Sequence, residues 1–422
     1  MPTHVTDPHP TDPHPADAVP AARPDAAATA SARPVPRRGR LPRNSLAALA
    51  AITFTGVVTE IIPAGLMPWM TADLGVSESQ VGALVAVYAV TTAVTAIPLT
   101  ALTRGIPRKR LLLALVVGFA ILNGVSAIAP DYPTLLVARL LGGMLAGLLW
   151  AIAAGTAMRL VEPEHAGRAL SIAMVGVPLA FAFGLPIATA LGGGVGWRAA
   201  FGVLAVLALA LVAWAAAALP GIAGERAGDR PRLTTVLRLP GLVPVLVTTG
   251  TFVLAHNVAY TYVAPLTIAS GLDAHLDLVL LAFGVLAVVG VLVSGALVDR
   301  HLRTMVLVGT ALLGAALVAL GLLADRPVVV VVAIAAWGYA YGGAPTLLQS
   351  APARIAGEAA DVAQSMVVAV WNGSIAAGAV VGGVVLNLAG VGWLTWAALA
   401  LLAVAAITAS TSRAAFAPLA RP

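Results

Sequence analysis

Residues 46–71 read LAALAAITFTGVVTEIIPAGLMPWMT and contain a single charged residue, Glu60. An apolar run of this length can cross the hydrocarbon core of a bilayer, because a spanning helix needs about 20 residues. Comparable runs recur along the whole chain, and the sequence predicts twelve spans in all. We number them span 1 to span 12, at 46–71, 79–102, 110–129, 133–159, 167–191, 197–219, 241–268, 276–298, 304–323, 328–351, 361–387 and 391–410.

The composition of the 422-residue chain agrees with this reading. Hydrophobic residues make up 60% of it and charged residues 10%, with a mean hydropathy of +0.96. A soluble domain carries about 25% charged residues, so this chain has too little charge to cover a water-facing surface. The sequence therefore predicts an all-α integral membrane protein. The absence of cysteine excludes disulfides, thiol nucleophiles and cysteine metal sites.

A polar stretch at 220–240 divides the predicted spans into two sets of six. The domains predicted from this pattern are a cytoplasmic tail at 1–44, six-helix bundles at 45–219 and 241–410, the linker at 220–240 and a second tail at 411–422. The first tail is rich in Pro, Ala, His and Asp and is predicted to be disordered. A repeated six-helix unit favours a pseudo-symmetric transporter with its site between the halves.

The placement of the basic residues predicts the orientation of the chain. When the N-terminus is placed inside, only Arg198 and Arg326 of the 24 Lys and Arg residues fall in outer loops, and only Arg139 falls deep within a span. Cytoplasmic loops carry the excess of Lys and Arg, so both termini are predicted to be cytoplasmic. The net charge of +6 is then a topology and lipid-headgroup signal, spread over separate loops, and nucleic acid is not an expected partner.

The segment GALVDRHLR at 295–303 joins spans 8 and 9. It resembles the inner-loop signature of the major facilitator superfamily, in which a carboxylate and arginines form a charge cluster that latches neighbouring helices on the cytoplasmic side. The alternative is a helix end with ordinary cytoplasmic arginines. The first-half counterpart, PLTALTRGIPRKR at 98–110, keeps the basic residues and lacks the acid. The predicted cytoplasmic gate consists of Gly295, Asp299, Arg300, Arg303, Arg104 and Arg108.

Two further segments resemble motifs of the same superfamily. LLVARLLGGMLAG at 135–147 is similar to its span 4 motif, in which an arginine, here Arg139, faces the cavity. The alternative is an arginine that snorkels to the headgroups. GVPLAFAFGLP at 176–186 is similar to the antiporter motif of drug–proton exporters, although its usual Gly-Pro pair is here Gly-Leu-Pro. Its residues Gly176, Pro178, Gly184 and Pro186 are expected to kink and pack span 5, and generic packing glycines are the alternative.

Span 1 itself continues the resemblance. TEIIPAGLMPWMTADLGVS at 59–77 is similar to the first span of the drug:proton antiporter branch, which includes arabinose-efflux-permease-like and chloramphenicol-resistance-like exporters. An ionisable residue inside a membrane is costly and marks a functional site by default. Glu60 is therefore predicted to take up a proton from outside and release it inside. The alternative is a structural glutamate that is permanently neutral or paired with Arg139.

Spans 7, 10 and 11 carry polar and aromatic residues among apolar ones. Such groups must face protein or a wet cavity, and His256, the one histidine inside a predicted span, joins Glu60 and Arg139 as a candidate for proton coupling or substrate binding. For any one residue, hydrogen bonding between helices is as good an explanation as substrate contact. The cavity candidates are Asn257, Tyr260, Tyr262, Trp337, Tyr341, Gln349, Trp371 and Asn372.

The resemblance implies a secondary active transporter that exports a small organic compound in exchange for protons by alternating access. A sugar or nucleoside exporter or importer on the same scaffold is an alternative, and a membrane-embedded enzyme or a transporter-like sensor is an alternative of another class. ATP is not expected to power the transport, because the chain has no Gly-x4-Gly-Lys-Ser/Thr loop. No enzymatic activity is expected, because the spans contain only one deep acid and no paired carboxylates or His-rich motif. No cofactor is expected, and no metal is expected at Glu162, Glu164 and His165, which lie in a solvated turn. The expected partners are substrate, protons and the lipid bilayer, for a monomer in a bacterial plasma membrane.

Overall fold

The computed structural model describes residues 1–4, 41–224, 232–272, 275–412 and 414–416. The predicted disorder of tail 1–44 concerns mainly residues outside this description, and so do parts of the predicted linker 220–240 and tail 411–422. The described residues from position 41 onward form helices and connecting turns, without a β-strand among them. The predicted all-α membrane architecture is therefore confirmed, while the domain boundaries stay a prediction.

The first half contains eight α-helices. They are α1 (Arg43–Leu74), α2 (Glu78–Thr103), α3 (Arg108–Ala127), α4 (Tyr132–Arg159), α5 (Ala166–Met174), α6 (Gly176–Leu179), α7 (Leu185–Gly194) and α8 (Trp197–Ala218). A 3₁₀ turn at Pro163–His165 precedes α5, and a π-helical turn at Ala180–Gly184 separates α6 from α7. Predicted span 5 is thus one membrane crossing built from three short helices and a π turn.

The second half begins with a short helix of the linker region. Its helices are α9 (Leu233–Leu237), α10 (Leu242–Tyr260), α11 (Val263–Ile268), α12 (Leu276–Leu322), α13 (Pro327–Ala356), α14 (Ala360–Ala389) and α15 (Gly392–Thr411). Predicted span 7 corresponds to α10 and α11, and spans 10, 11 and 12 correspond to α13, α14 and α15.

Predicted spans 8 and 9 are not separated by a loop. They form the continuous helix α12, in which only His301 leaves helical geometry (φ −129°, ψ 29°). The residues around this kink include no Gly or Pro, whereas Gly105 and Pro107 interrupt the corresponding connection after α2. Eleven helical segments among the described residues are long and apolar enough to cross a membrane. Because α12 is about twice the length that one crossing needs, it supplies two, and twelve crossings result.

Local sequence signals explain the tight turns at the outer ends. Ser77 accepts a hydrogen bond from the Gln80 amide, and the Gln80 side chain accepts one from the Ser77 amide, which forms a capping box for α2. Asp131 caps α4 by accepting a hydrogen bond of 2.9 Å from the Thr134 amide. Hydrogen bonds from Thr134 also hold the pKa of Asp131 below its usual range. The helices therefore start at defined residues close to the ends of the preceding ones.

Small residues let the helices of each half approach closely, as is usual where lipid weakens the hydrophobic drive. Gly143 of α4 lies directly on the backbone of Tyr88, and the Thr92 hydroxyl donates a 3.0 Å hydrogen bond to the Gly143 carbonyl. In the second half, Gly338 and Gly342 of α13 lie on the backbone of α12. The two halves meet where α5 contacts α12 and α13 and where α14 contacts α2 and α4.

Candidate functional site

Arg139 donates hydrogen bonds to α1 at the point where a proline interrupts the hydrogen bonding of that helix. Pro63 lies inside α1 and has no amide hydrogen, so the carbonyl of Thr59, four residues earlier, loses its helical donor. Arg139 Nη1 donates to this carbonyl, Nη2 donates to the Glu60 carbonyl at 2.5 Å, and Nε donates to the Leu84 carbonyl at 3.3 Å. With an exposure of 3%, Arg139 is an internal residue and does not snorkel to the headgroups.

Neighbouring side chains complete a polar layer between α1, α2, α3 and α4. The Arg139 guanidinium lies over the ring of Tyr88, 4.2 Å from its centroid, in cation–π geometry. Asn123 donates a 3.0 Å hydrogen bond to the Thr59 hydroxyl, and both residues are buried. We call Thr59, Glu60, Tyr88, Asn123 and Arg139 the polar layer.

The carboxyl group of Glu60 is placed differently from the rest of this layer. Glu60 is half-buried and interacts electrostatically with Arg139 and Tyr88. Among the described residues, however, neither a salt bridge nor a hydrogen bond holds its carboxylate, because the guanidinium nitrogens of Arg139 bond to main-chain carbonyls. Glu60 and Arg139 are thus adjacent, but the arginine bonds to the backbone of Glu60 and does not form the charge pair that was the alternative to proton exchange. Within the described part of the chain, the Glu60 carboxyl group has no bonded partner.

Aromatic side chains of the second half form a cluster around His256. His256 stacks on Tyr341 with ring centroids 3.5 Å apart and on Tyr260 at 4.8 Å. Trp337 meets the histidine edge-on at 5.5 Å. Two more rings extend the group, because Phe283 lies 5.0 Å from Tyr260 and Trp371 lies 6.2 Å from Tyr341. We call His256, Tyr260, Phe283, Trp337, Tyr341 and Trp371 the aromatic cluster.

The hydrogen bond between Trp337 and His256 defines the state of the imidazole. Trp337 Nε1 donates to His256 Nδ1 at 2.9 Å, and an indole nitrogen can only donate. Nδ1 therefore carries no proton here, the imidazole is neutral, and its proton is on Nε2. Both residues are buried. In this arrangement His256 is an uncharged donor rather than a cation, which makes Glu60 the better candidate of the two for proton exchange.

One electrostatic interaction connects the polar layer of the first half with the aromatic cluster of the second half. The Glu60 carboxyl group lies near enough to the Tyr341 hydroxyl for the two to interact electrostatically. Tyr341, Tyr260 and Trp371 are half-buried, and neither tyrosine hydroxyl bonds to another residue within the described ranges. The site therefore combines one carboxyl group with aromatic faces and available hydroxyl groups.

The remaining cavity candidates lie in helix contacts. Tyr262 donates a 2.8 Å hydrogen bond to the Ala379 carbonyl of α14. Asn257 and Asn372 each donate to a carbonyl one turn earlier in their own helices, at 2.8 and 3.0 Å. The carbonyl of Gln349 accepts a 2.5 Å hydrogen bond from Gln364, toward the end of α13. The structure does not bring these four residues into the aromatic cluster.

Asp299 joins the two halves at the end of the molecule where α1 begins and α15 ends. Its carboxylate accepts hydrogen bonds from the amides of Gly167 and Arg168 at 2.7 and 3.1 Å, and from Arg354 at 3.1 Å. The two amides belong to the first turn of α5, where the helix dipole stabilises a negative charge. The carboxylate of the second half is thus bound by a helix N-terminus of the first half.

A second carboxylate, Asp361, joins the halves at the same end. Asp361 lies in the first turn of α14 and is fully buried. Its Oδ2 is 2.5 Å from Arg108 Nη2 and 3.1 Å from Arg159 Nη2. Another hydrogen bond between the halves runs from the Ser171 hydroxyl of α5 to the Val291 carbonyl of α12, at 2.9 Å. The bonds of Asp299, Asp361 and Ser171 thus connect the two halves near this end.

Comparisons with known proteins assign the chain to a family. The family model described as Major Facilitator Superfamily matches residues 48–363. The chain belongs to this superfamily. "Transcription regulatory protein OpdE" of Pseudomonas aeruginosa is 32% identical over 354 residues, which cover 82% of this chain and 88% of that protein. Family and fold together indicate a multi-pass membrane transporter rather than an enzyme.

Solved structures of superfamily transporters share the fold. The transporter FucP in the outward conformation aligns with a TM-score of 0.70 at 15% identity, covering 87% of this chain and 98% of that one. The human organic anion transporter MFSD10 (TETRAN) aligns with a TM-score of 0.67 at 16% identity, with the same coverage of 87% and 98%. At these identities the likeness extends to the fold alone.

The remaining gate candidates of this superfamily member have different surroundings. Arg303 donates a 2.5 Å hydrogen bond to the Ser410 carbonyl at the end of α15, within its own half. Arg300 is exposed and Arg104 is buried. Gly295 lies directly against Ser171, so it allows α12 to approach α5. The predicted gate residues thus divide between contacts across the halves and contacts within one half.

The segment at 176–186, which resembles the antiporter motif, brings span 5 into close contact with α1. Gly176 lies on the backbone of α1 at Ala50, and Gly184 lies against Val58, so both glycines permit a close helix contact. Pro178 and Pro186 flank the π-helical turn at Ala180–Gly184. Proline removes a backbone donor, which favours such a local widening of the helix. These residues position α1, and through it Glu60, without contacting the aromatic cluster.

Sequence reasoning missed several residues of these sites. Asp361 is absent from the predicted gate, although it is an acid at the predicted cytoplasmic start of span 11, while the first-half loop at 98–110 has arginines and no acid. Tyr88, Asn123 and Phe283 carry no sequence signal that distinguishes them from packing residues. The structure also brings ligand atoms of Glu162, Glu164 and His165 within 4.8 Å of one another in the turn before α5, where Glu164 is exposed.

Proposed function

We propose that this chain is a monomeric, proton-coupled secondary active transporter of a bacterial plasma membrane. It exports a small organic compound in exchange for protons by alternating access. The observation that carries the proposal is the Glu60 carboxyl group, which interacts electrostatically with Tyr341 of the other half while Arg139 is bound to main-chain carbonyls. A carboxyl group without a bonded counter-ion can exchange a proton with the solvent on whichever side the cavity opens.

The contacts between the halves support the alternating-access part of the proposal. The bonds of Asp299, Asp361 and Ser171 close the end predicted to be cytoplasmic. Export would require these bonds to break so that substrate enters from inside, and to form again so that it leaves outside. In the proposed cycle, Glu60 exchanges its proton with the outside while these bonds are formed.

The aromatic cluster supports an organic substrate with an apolar or planar part. Tyr260, Tyr341 and Trp371 are half-buried and offer ring faces, and the two hydroxyl groups offer hydrogen bonds. Ligand sites of this composition take compounds whose apolar body is oriented by a few polar groups. A sugar or nucleoside would use the same hydroxyl groups and stack on the same rings, so it stays as an alternative substrate class.

The proposal can be tested in inverted membrane vesicles with an imposed proton gradient. The gradient is followed with a pH-sensitive dye while a panel of organic cations, anions, sugars and neutral aromatic compounds is added. We expect at least one compound to dissipate the gradient, and the Glu60→Gln variant to lose this response about tenfold or more. The matched control is Glu164→Gln, which removes an exposed carboxylate and should respond like the unmodified protein. A Glu60→Gln variant that still dissipates the gradient would overturn proton coupling through Glu60.

A second candidate function is a transporter-like sensor without turnover. The name of the Pseudomonas aeruginosa relative, "Transcription regulatory protein OpdE", favours it. Deleting the gene for this chain and restoring it as the Glu60→Gln variant separates the two functions. If the transcript profile changes on deletion and the vesicles show no substrate-dependent flux, the sensor replaces the exporter.

A further inference from the structure

The two ring nitrogens of His256 have different surroundings. Nδ1 accepts the 2.9 Å hydrogen bond from Trp337 Nε1, so the proton of the neutral imidazole is on Nε2. Within the described part of the chain, the Nε2–H group has no acceptor, although His256 is only 3% exposed. Buried polar groups of native proteins are nearly always hydrogen-bonded, and an unmade bond is costly. The Nε2–H group is therefore where a partner from outside the chain is expected.

The neighbouring rings fix the direction of this donor. Tyr341 stacks on the imidazole with centroids 3.5 Å apart and planes 11° apart, and Tyr260 stacks at 4.8 Å and 21°. Trp337 stands nearly perpendicular to the imidazole, at 79°, and binds its Nδ1 edge. A rotation of the imidazole would break the bond to Trp337 or tilt the ring out of both stacks. The Nε2–H group therefore keeps one direction, on the side of the ring away from Trp337.

The charges nearby limit the kind of partner. The Glu60 carboxyl group interacts electrostatically with Tyr341, so it would repel an anionic ligand that lies on this ring. Arg139 does not offset this repulsion, because its three nitrogens donate to main-chain carbonyls. A simple ammonium ion has no lone pair with which to accept the Nε2 proton. An uncharged ligand with an acceptor oxygen satisfies both conditions, and a planar body suits the aromatic rings.

We infer that the His256 Nε2–H group binds an acceptor oxygen of an uncharged, planar organic ligand. Trp337 is then a positioning residue, because its bond to Nδ1 keeps the proton on Nε2. The inference deepens the proposed function by assigning a ligand class to the same site. It rests on the proposed function only for the statement that this ligand is transported.

Nitrogen NMR of the full chain in lipid nanodiscs, with isotope-labelled histidine, tests the role of Trp337. Protonated and unprotonated ring nitrogens resonate at well-separated frequencies, and the signals lost in His256→Gln identify His256. We expect an unprotonated Nδ1 and a protonated Nε2 in the parent. In Trp337→Phe, a second pair of signals with the proton on Nδ1 should appear. A single, unchanged tautomer in Trp337→Phe would overturn the positioning role.

Two planar probes that differ in one group test the ligand class. Fluorenone carries a ketone oxygen, and fluorene is the same ring system without it. Fluorenone should bind at least about tenfold more tightly, measured by quenching of tryptophan fluorescence, because only it accepts the Nε2 proton. It should also shift the Nε2 signal and leave Nδ1 nearly unchanged. Equal affinities, absent fluorenone binding, or an Nε2 signal that stays in place because water is its partner would each overturn the inference.

Two amide variants separate the two nitrogens of His256. The glutamine amide reaches about the position of Nε2, whereas the asparagine amide reaches about that of Nδ1. His256→Gln should therefore keep much of the preference for fluorenone, and His256→Asn should lose it. The reverse order would mean that His256 serves only the bond to Trp337, and it would contradict the inference. His301→Gln, at an exposed position in the kink of α12, is the matched control and should behave like the parent.

The binding test is independent of transport and of variant folding. The comparison of fluorenone with fluorene in the parent needs no substitution, so it decides the ligand class even where a variant does not fold. It also needs no proton gradient. Fluorenone binding through Nε2 without any response in the vesicles would refute proton-coupled export and leave this inference intact, and a vesicle response without such binding would do the opposite.

Discussion

The polar layer and the aromatic cluster are built in different ways. The first half presents the polar layer, in which Arg139 repairs a backbone break created by Pro63 and thereby holds the segment that carries Glu60. The second half presents the aromatic cluster, in which Tyr260 and Tyr341 stack on His256 and Trp371 of α14 contacts Tyr341. The polar layer thus provides charge, and the aromatic cluster provides apolar contact.

The polar layer and the aromatic cluster also differ in how strongly a single substitution should destabilise them. In the polar layer a single guanidinium serves three carbonyl groups, so its loss affects α1 and α2 together. In the aromatic cluster the stacking energy is shared by several rings, and only the bond between Trp337 and His256 is specific. We therefore expect substitutions in the polar layer to cost more than substitutions in the aromatic cluster.

The largest effect is expected for Arg139→Gln. Glutamine is shorter and cannot reach the three carbonyls, so the buried Thr59 carbonyl is left without a donor, and the free energy of unfolding should fall by roughly 3 kcal/mol. Arg139→Lys keeps the charge but has no planar fork, and it should recover less than half of the loss. Thermal unfolding in detergent measures both. Equal stability of the lysine variant and the unmodified protein would show that charge alone, and not the fork, supports α1.

An intermediate effect is expected for Trp337→Phe. The ring contact is retained while the donor to His256 Nδ1 is lost, so a buried acceptor stays unpaired at a cost of about 1–2 kcal/mol. Replacing both residues, as Trp337→Phe with His256→Leu, removes the acceptor as well and should be less destabilising than the sum of the single variants. A double-mutant cycle on unfolding midpoints measures the coupling. Strict additivity would mean that the hydrogen bond does not contribute.

The smallest effect is expected for Pro63→Ala. The new amide can donate to the Thr59 carbonyl, which replaces the bond from Arg139, so stability should change by less than about 1 kcal/mol. In this background Arg139→Gln should become less costly than in the unmodified chain, by about 1 kcal/mol. The comparison needs the two single variants and the double variant. An unchanged cost of Arg139→Gln would show that Arg139 does not depend on the proline break.

Much of the fold could be predicted from hydropathy and charge. The apolar runs predicted the spans, and the resemblance of 295–303 and 176–186 to superfamily motifs predicted the family, which the family model confirms. The continuity of α12 could not be read from the polar segment DRHLR, because polar residues occur in loops and on helix ends alike. Only the kink at His301 marks the place where the chain turns.

Less of the site could be predicted. Glu60 and Arg139 were expected to be neighbours, and they are, but the sequence does not show that the arginine bonds to carbonyl groups instead of the carboxylate. His256, Tyr260, Trp337, Tyr341 and Trp371 were expected in one cavity and lie together. Tyr262, Asn257, Asn372 and Gln349 looked equivalent in sequence, because an isolated polar residue in a span serves helix packing and ligand binding equally well.

The sequence by itself determined the membrane crossings, the side of the basic loops and the position of the one acid deep in span 1. These depend on the free energy of transferring each segment into lipid, which is a local property of composition. The tertiary structure decided which groups meet. Asp361 pairs with Arg108 although they are far apart in the chain, and the Glu60 carboxyl group interacts electrostatically with Tyr341 of the other half. Such pairings depend on the packing distance between helices, which small residues such as Gly155 and Gly167 set.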